Sequence, residues 1–138
     1  MPTIRILAAV AALAVAGAAG AEDRVIYHFD AGLAQATKGL RNIRNHLEVD
    51  PKAKIVVVAH ADGVDFLMTG AMDPNKNPYN VIVEDLNAQG VTFEVCLITL
   101  RNRKLDPKRF IQEVEFTPSG VQRITQLQQR EGYAYLKP

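Results

Sequence analysis

A single cysteine, Cys96, carries all the thiol chemistry open to this chain of 138 residues, and tryptophan is absent altogether. One cysteine cannot close an intramolecular disulfide, and without a C-x-x-C pair a dithiol redox cycle within one chain is excluded. The G-x-G-x-x-G dinucleotide turn, the P-loop and the G-x-S-x-G elbow are all missing, so nucleotide-dependent chemistry loses most of its support. No zinc-type set of Cys and His spacings occurs, and neither a metal nor a cofactor is expected. Charge of one sign is also lacking: 16 Lys and Arg stand against 15 Asp and Glu. Nothing global therefore favours nucleic acid or an anionic membrane as a partner.

Long apolar runs are confined to the start of the chain. Arg5 precedes an apolar block from Ile6 through Ala19, followed by the small-residue exit Ala19-Gly20-Ala21 and the acidic Glu22-Asp23. This is the pattern of an export signal, with cleavage expected after Ala21. The block is shorter than the roughly 20 residues of a spanning helix and is rich in alanine, so no stable membrane anchor is expected after cleavage. Residues 1–21 are thus read as a signal peptide and residues 22–138 as one domain, exported to the periplasm. Arg5 is the only charge in the leader, which leaves 15 basic against 15 acidic residues.

Within 22–138, strand-like and helix-like patterns alternate. Val25-Ile26-Tyr27-His28-Phe29 reads as a first strand, and Leu33, Ala36, Leu40, Ile43 and Leu47 mark an amphipathic helix stopped by Asp50-Pro51. Ile55-Val56-Val57-Val58 is a continuous β-branched run, as in a central parallel strand buried on both faces. After a helical turn at Val64–Met68 comes the polar loop Asp73–Pro78, expected to be mobile, and then a helix with Asn77 as N-cap and Pro78 as its first residue. Its Tyr79, Ile82 and Val83 suit either the core or a subunit interface, and the core is the place expected for them. A third strand ends at Cys96, a short helix spans Leu97 to Lys104, and Ile111 to Phe116 alternates as a fourth strand. Ser119 caps a last helix, and Tyr133-Ala134-Tyr135-Leu136 forms a final strand. The fold expected is α/β: a three-layer sandwich with a mostly parallel sheet of about five strands and helices on both faces.

Ligands of such sheets bind beyond the carboxyl ends of the strands. Here those positions are His28 and Asp30, His60 and Asp62, Cys96, and Thr117 with Ser119. Cys96 is the candidate catalytic residue, because a thiol at the start of a helix gains free backbone amides and a favourable dipole that stabilise thiolate. Arg101 and Arg103 are candidate binding residues that add positive charge, and His60 and Asp62 are candidate binding residues that tune protonation. His46, inside the first helix, is expected at the surface. Equally ordinary for a lone cysteine is a structural place, packed in the core as a small hydrophobe.

The chain resembles the DsrE/DsrF-like family, whose members include subunits of the DsrEFH and TusBCD sulfur-relay complexes. The resemblance spans Arg24 to Pro138 and rests on Val25-Ile26-Tyr27-His28, on His60-Ala61-Asp62-Gly63-Val64 and on the run from Leu86 to Cys96. The ending from Pro118 to Pro138 is similar to that of stand-alone DsrE-like proteins. It implies a homo-oligomer (dimer, trimer or hexamer) and a persulfide held on Cys96, whose position matches the relay cysteine. Its partners would be a sulfane-sulfur donor and an acceptor, as proteins or small molecules. Relay subunits work in the cytoplasm, whereas this chain carries an export pattern. The alternative function is a non-enzymatic oligomeric module that binds a small molecule or protein, with Cys96 in its core.

Overall fold

The computed structural model describes residues 20 and 22–138, so the signal-peptide reading of residues 1–21 lies almost wholly outside the described residues. Strands β1 (Arg24–Phe29), β2 (Lys54–Ala59), β3 (Thr92–Cys96), β4 (Val114–Thr117) and β5 (Ala134–Leu136) form one sheet in the order β4-β3-β2-β1-β5. Every pairing is parallel. Parallel neighbours require long crossovers, and these are supplied by helices α1 (Leu33–Val49), α2 (Tyr79–Ala88), α3 (Leu97–Arg103) and α4 (Gly120–Glu131), with 3-10 segments at Ala61–Leu67 and Pro107–Arg109. The chain is therefore the α/β sandwich expected from its alternating patterns.

The central place of β2 explains its unbroken β-branched run: Ile55 through Ala59 are all buried. Strand alternation then divides the core. Val25, Tyr27, Phe29, Val57, Phe93 and Val95 point to the face covered by α1, α2 and the first 3-10 segment, where the larger cluster lies. Ile26, Val56 and Val58 point the other way and pack under Ile124 and Leu127 of α4. Tyr79 and Val83 are core residues of α2, while Ile82 is half-buried. Registered neighbours in a parallel sheet share a face, so His28, Glu94, Cys96 and Tyr135 also lie on the α4 side.

Several boundaries depart from the sequence reading. Helix α2 begins at Tyr79 with Pro78 as its extended N-cap. Asn77 is not the cap because its N–H and its side-chain amide both donate to the Asp73 carboxylate, at 2.8 and 3.1 Å. That carboxylate also accepts the Asn75 N–H, which organises the polar loop. Strand β4 starts at Val114 rather than Ile111. Residues 111–113 form a turn instead: Val114 N–H donates to the Ile111 carbonyl at 3.3 Å, Ile111 N–H donates to the Leu67 carbonyl at 3.1 Å, and Thr69 N–H donates to the Arg109 carbonyl at 2.8 Å. His46 is half-buried rather than at the surface, with its Nδ1 3.1 Å from the Tyr27 hydroxyl. No described helix is long and apolar enough to cross a membrane.

Candidate functional site

Three strands deliver their last residues to one place at the carboxyl edge of the sheet. Cys96 closes β3 and at the same time is the N-cap of α3, with extended backbone before the helix turns away. It lies on the wall of a pocket of about 400 Å³ formed with His60, Asp62, Thr99, Arg103, Ser119 and neighbouring apolar groups. Only 5% of Cys96 is exposed, so its sulfur is reached through the pocket and not from open solvent.

The environment of that sulfur is polar. Burial pushes the thiol pKa up, but the polar groups gathered where β3 meets α3 and α4, the N–H groups of Gly120, Thr99 and Ile98 and the Thr99 hydroxyl, outweigh it and hold the pKa below the ordinary thiol range. Thr99 is aimed by a second contact: its Oγ1 accepts the Ala61 N–H at 2.9 Å, which leaves the hydroxyl proton for the sulfur. Gly120 serves by its size. A Cβ there would stand 3.3 Å from the Cys96 Cβ and 3.4 Å from the His60 Cβ, tighter than ordinary packing, so α4 comes this close because its first residue has no side chain.

The His60-Ala61-Asp62-Gly63 turn holds the other wall. His60 N–H donates to the Phe29 carbonyl at 3.0 Å, extending the β1–β2 ladder by one bond. Ala61 then adopts a left-handed backbone, φ 49°, at a cost of about 1–2 kcal/mol for an L-residue. Thr99 holds its N–H, and Arg103 Nη1 donates to its carbonyl at 3.0 Å. A side chain at Gly63 would overlap the Phe29 carbonyl, which makes glycine obligatory where this turn crosses the end of β1.

Two imidazoles meet beside the pocket. His28 Nε2 lies 2.6 Å from His60 Nε2, and His28 Nδ1 lies 2.6 Å from the Tyr135 hydroxyl. The ring planes differ by 20° with centroids 4.8 Å apart, so the rings meet edge to edge through their nitrogens rather than face to face. His28 titrates below its ordinary value, first because it is buried, then because His60 and Lys137 oppose its charge, with Asp30 acting the other way. Asp30 is held below the usual carboxylate range chiefly by the Lys137 ammonium, whose Nζ donates to it at 2.7 Å.

Ligand-type atoms of His28, Asp30 and His60 lie within 4.8 Å of one another, as do those of Asp23, His46 and Asp50 at the opposite edge of the sheet. The first set is not shaped as a chelate. Two imidazole nitrogens on one tetrahedral zinc ion stand about 3.3 Å apart, more than His28 and His60 leave, and Asp30 is already bound by Lys137 and Gln35. In the second set Asp23 is 67% exposed and its oxygen is 3.9 Å from His46.

Of the residues expected from sequence, Cys96, His60, Asp62 and Arg103 are brought together around the pocket. Arg103 donates to Asp65 at 2.7 Å and lies 3.8 Å from Asp62, so its charge is largely spent within the turn. Arg101 is exposed and is not part of the pocket wall. Thr99 and Gly120 escaped the sequence reading, although a threonine three residues after the N-cap position, where side chains reach back to the cap, is a usable signal.

The profile of the DsrE/DsrF-like family matches residues 8–138. Among solved structures, the chain is similar to MTH1491 of Methanobacterium thermoautotrophicum, a protein of unknown function, with 31% identity over 85% of this chain and 100% of that one and a TM-score of 0.73. It is also similar in fold to the ychN protein of E. coli, with 15% identity, 85% and 98% coverage and a TM-score of 0.65. No match was found among curated proteins.

Proposed function

The chain belongs to the DsrE/DsrF-like family, and from that premise we infer that it is a sulfur carrier that holds a persulfide on Cys96. The carrying observation is the place of the sulfur: Cys96 lines a pocket as the N-cap of α3 and against the first residue of α4, where N–H groups of both helices and the Thr99 hydroxyl lower its pKa. Such donors stabilise a thiolate before transfer and an anionic persulfide after it. In the loading step the Cys96 thiolate attacks the outer sulfur of a donor R–S–SH. A Cys96 S–S bond forms, the donor S–S bond breaks, and its electron pair leaves on R–S⁻. An acceptor thiolate then attacks the outer sulfur of Cys96–S–SH and regenerates the Cys96 thiolate.

The N-terminal export pattern supports an exchange that takes place outside the cytoplasm, in the periplasm. The exposed apolar groups of the pocket wall, Ile98 and Val121, suit a homo-oligomer with partners docking at the same edge. Arg101, exposed on α3 close by, suits contact with an acidic partner and not with the bound sulfur.

Intact-mass spectrometry after incubation with polysulfide tests the reading. Wild type should gain one sulfur atom, removable by reductant, and Cys96→Ser should gain none while keeping its fold. Sulfur loading retained in Cys96→Ser would overturn it. The 5% exposure of Cys96 favours a second reading, a non-enzymatic binding module with a structural thiol. That module predicts labelling by a thiol reagent only in denaturant, whereas the carrier predicts rapid labelling of the native protein.

A further inference from the structure

The His60–His28–Tyr135 contacts form a continuous chain from the Cys96 pocket to the edge of the sheet. His60 uses Nε2 on His28 and lines the pocket. Among the described residues no group bonds its other nitrogen, Nδ1. His28 is 9% exposed and uses both ring nitrogens, one on His60 and one on Tyr135. Tyr135 stands on the edge strand β5 and is 42% exposed. A buried imidazole is thus connected to the pocket at one end and to solvent at the other.

We propose that this chain is a reversible proton wire serving sulfur exchange at Cys96, with His60 as the group facing the substrate and His28 and Tyr135 as the residues that supply it. The proposal rests on the sulfur-carrier reading above. Each link has one shared proton, and each imidazole presents one donor and one acceptor when neutral, so two polarities satisfy the same geometry. In one, Tyr135 donates to His28, His28 donates to His60, and His60 Nδ1 carries a proton into the pocket. In the other, every proton has moved one place inward and Nδ1 is bare.

The two halves of sulfur exchange need opposite proton movements, and the two polarities match them. When Cys96 is loaded, the leaving R–S⁻ takes the Nδ1 proton of His60. The Nε2 proton of His28 passes to His60, the phenolic proton of Tyr135 passes to His28, and Tyr135 is reprotonated by water. The imidazoles remain neutral, and the chain now has its second polarity. When an acceptor R′–SH enters, bare Nδ1 removes its proton, the chain shifts outward and a proton leaves through Tyr135 to water. The freed R′–S⁻ takes the sulfur, and both the chain and Cys96 return to their starting state. No oxidant or reductant is consumed.

The surroundings favour a neutral His28. Lys137 and Asp30 face His28 from the ends of β5 and β1, with their charges joined at 2.7 Å, and Asp62 and Arg103 face the pocket side. Under α4, Glu94 and Arg123 neutralise one another. Burial, His60 and Lys137 together keep His28 from charging easily, against the pull of Asp30.

Single-turnover loading from glutathione persulfide and discharge to glutathione, both followed by quenched mass spectrometry at low buffer concentration, test the wire. Tyr135→Phe should slow both steps about fivefold or more and His28→Gln about tenfold to 100-fold, within the range of general acid–base catalysis. The final extent of loading and the Cys96 thiol titration should be unchanged in Tyr135→Phe. In mixed H2O and D2O, wild type should show several protons in flight and Tyr135→Phe fewer, a readout that a packing role would not move. Equal rates in wild type and both variants overturn the wire alone, as does slowing with an unaltered isotope response. Failure of wild type to load overturns the carrier reading, and the wire with it. Should His28→Gln not fold, Tyr135→Phe decides.

Discussion

Arg123 of α4 grips Glu94 of β3 through both carboxylate oxygens, with its Nε 2.9 and 3.2 Å away and its Nη2 3.1 Å away. The Glu94 side chain is only 8% exposed, and the pair sets the height of α4 over the sheet, hence the approach of the Gly120 N–H to the sulfur. Arg123→Ala strands a buried carboxylate and should cost about 3 kcal/mol in urea unfolding. The Cys96 pKa should rise in the same variant. Glu94→Met combined with Arg123→Met should recover most of the stability, because burying two apolar chains avoids the cost of an unpaired charge. A wild-type urea midpoint for Arg123→Ala would contradict this role.

Thr99→Val removes the hydroxyl that donates to Cys96 and strands the Ala61 N–H that the hydroxyl now accepts. The thiol pKa, read from thiolate absorbance against pH, should rise, and alkylation at pH 7 should slow several-fold. Stability should fall by about 1–3 kcal/mol, the cost of a buried donor left unpaired. Thr99→Ser should keep both properties near wild type.

Acidification should weaken the fold through His28. Its folded pKa lies below that of free histidine, about 6.5, so the unfolded chain takes up this proton first as pH falls. The stability tied to neutral His28 is complete above about pH 6.5 and drains away as pH drops through the folded value. Urea midpoints should therefore be lower at pH 5.5 than at pH 7.5, and His28→Gln should flatten that slope. Asp30, depressed by Lys137, acts with the same sign only at more acidic pH. A protein more stable at pH 5.5 than at 7.5 would refute the assignment.

Gly63→Ala should be among the costliest single-methyl additions in the chain. The new Cβ would meet the backbone of Phe29 and Asp30, which cannot swing aside as a side chain does. A loss at or above the roughly 1–3 kcal/mol of ordinary overpacking is expected, measured as a fall in Tm. The His60 turn should shift with it, and thiol labelling of Cys96 should change in rate.

Much of this architecture was legible because secondary-structure periods are local. The β-branched run at Ile55–Val58 announced the central strand, and the three- and four-residue spacing from Leu33 to Leu47 announced α1. Cys96 at a strand-to-helix junction was equally visible. The separation of Arg101 from Arg103 was also within reach: two residues along a helix turn a side chain about 200°, and only Arg103 reaches the pocket wall. By contrast, the start of α2 was misplaced because Asn77 spends its side chain on Asp73 instead of on the helix.

What the sequence by itself determined is the alternation of strands and helices, the single thiol and the set of strand-end residues from which any site had to be drawn. It did so because backbone periodicity and residue chemistry are written position by position. Which of those residues touch was decided only by the tertiary structure. The β1–β2 register brings His28 to His60, the return of β5 beside β1 adds Tyr135, and the close seat of α4 turns the Gly120 N–H onto Cys96. Those contacts join residues as far as 107 positions apart in the chain. Such distances are closed by strand order and helix packing, and no local pattern carries that information.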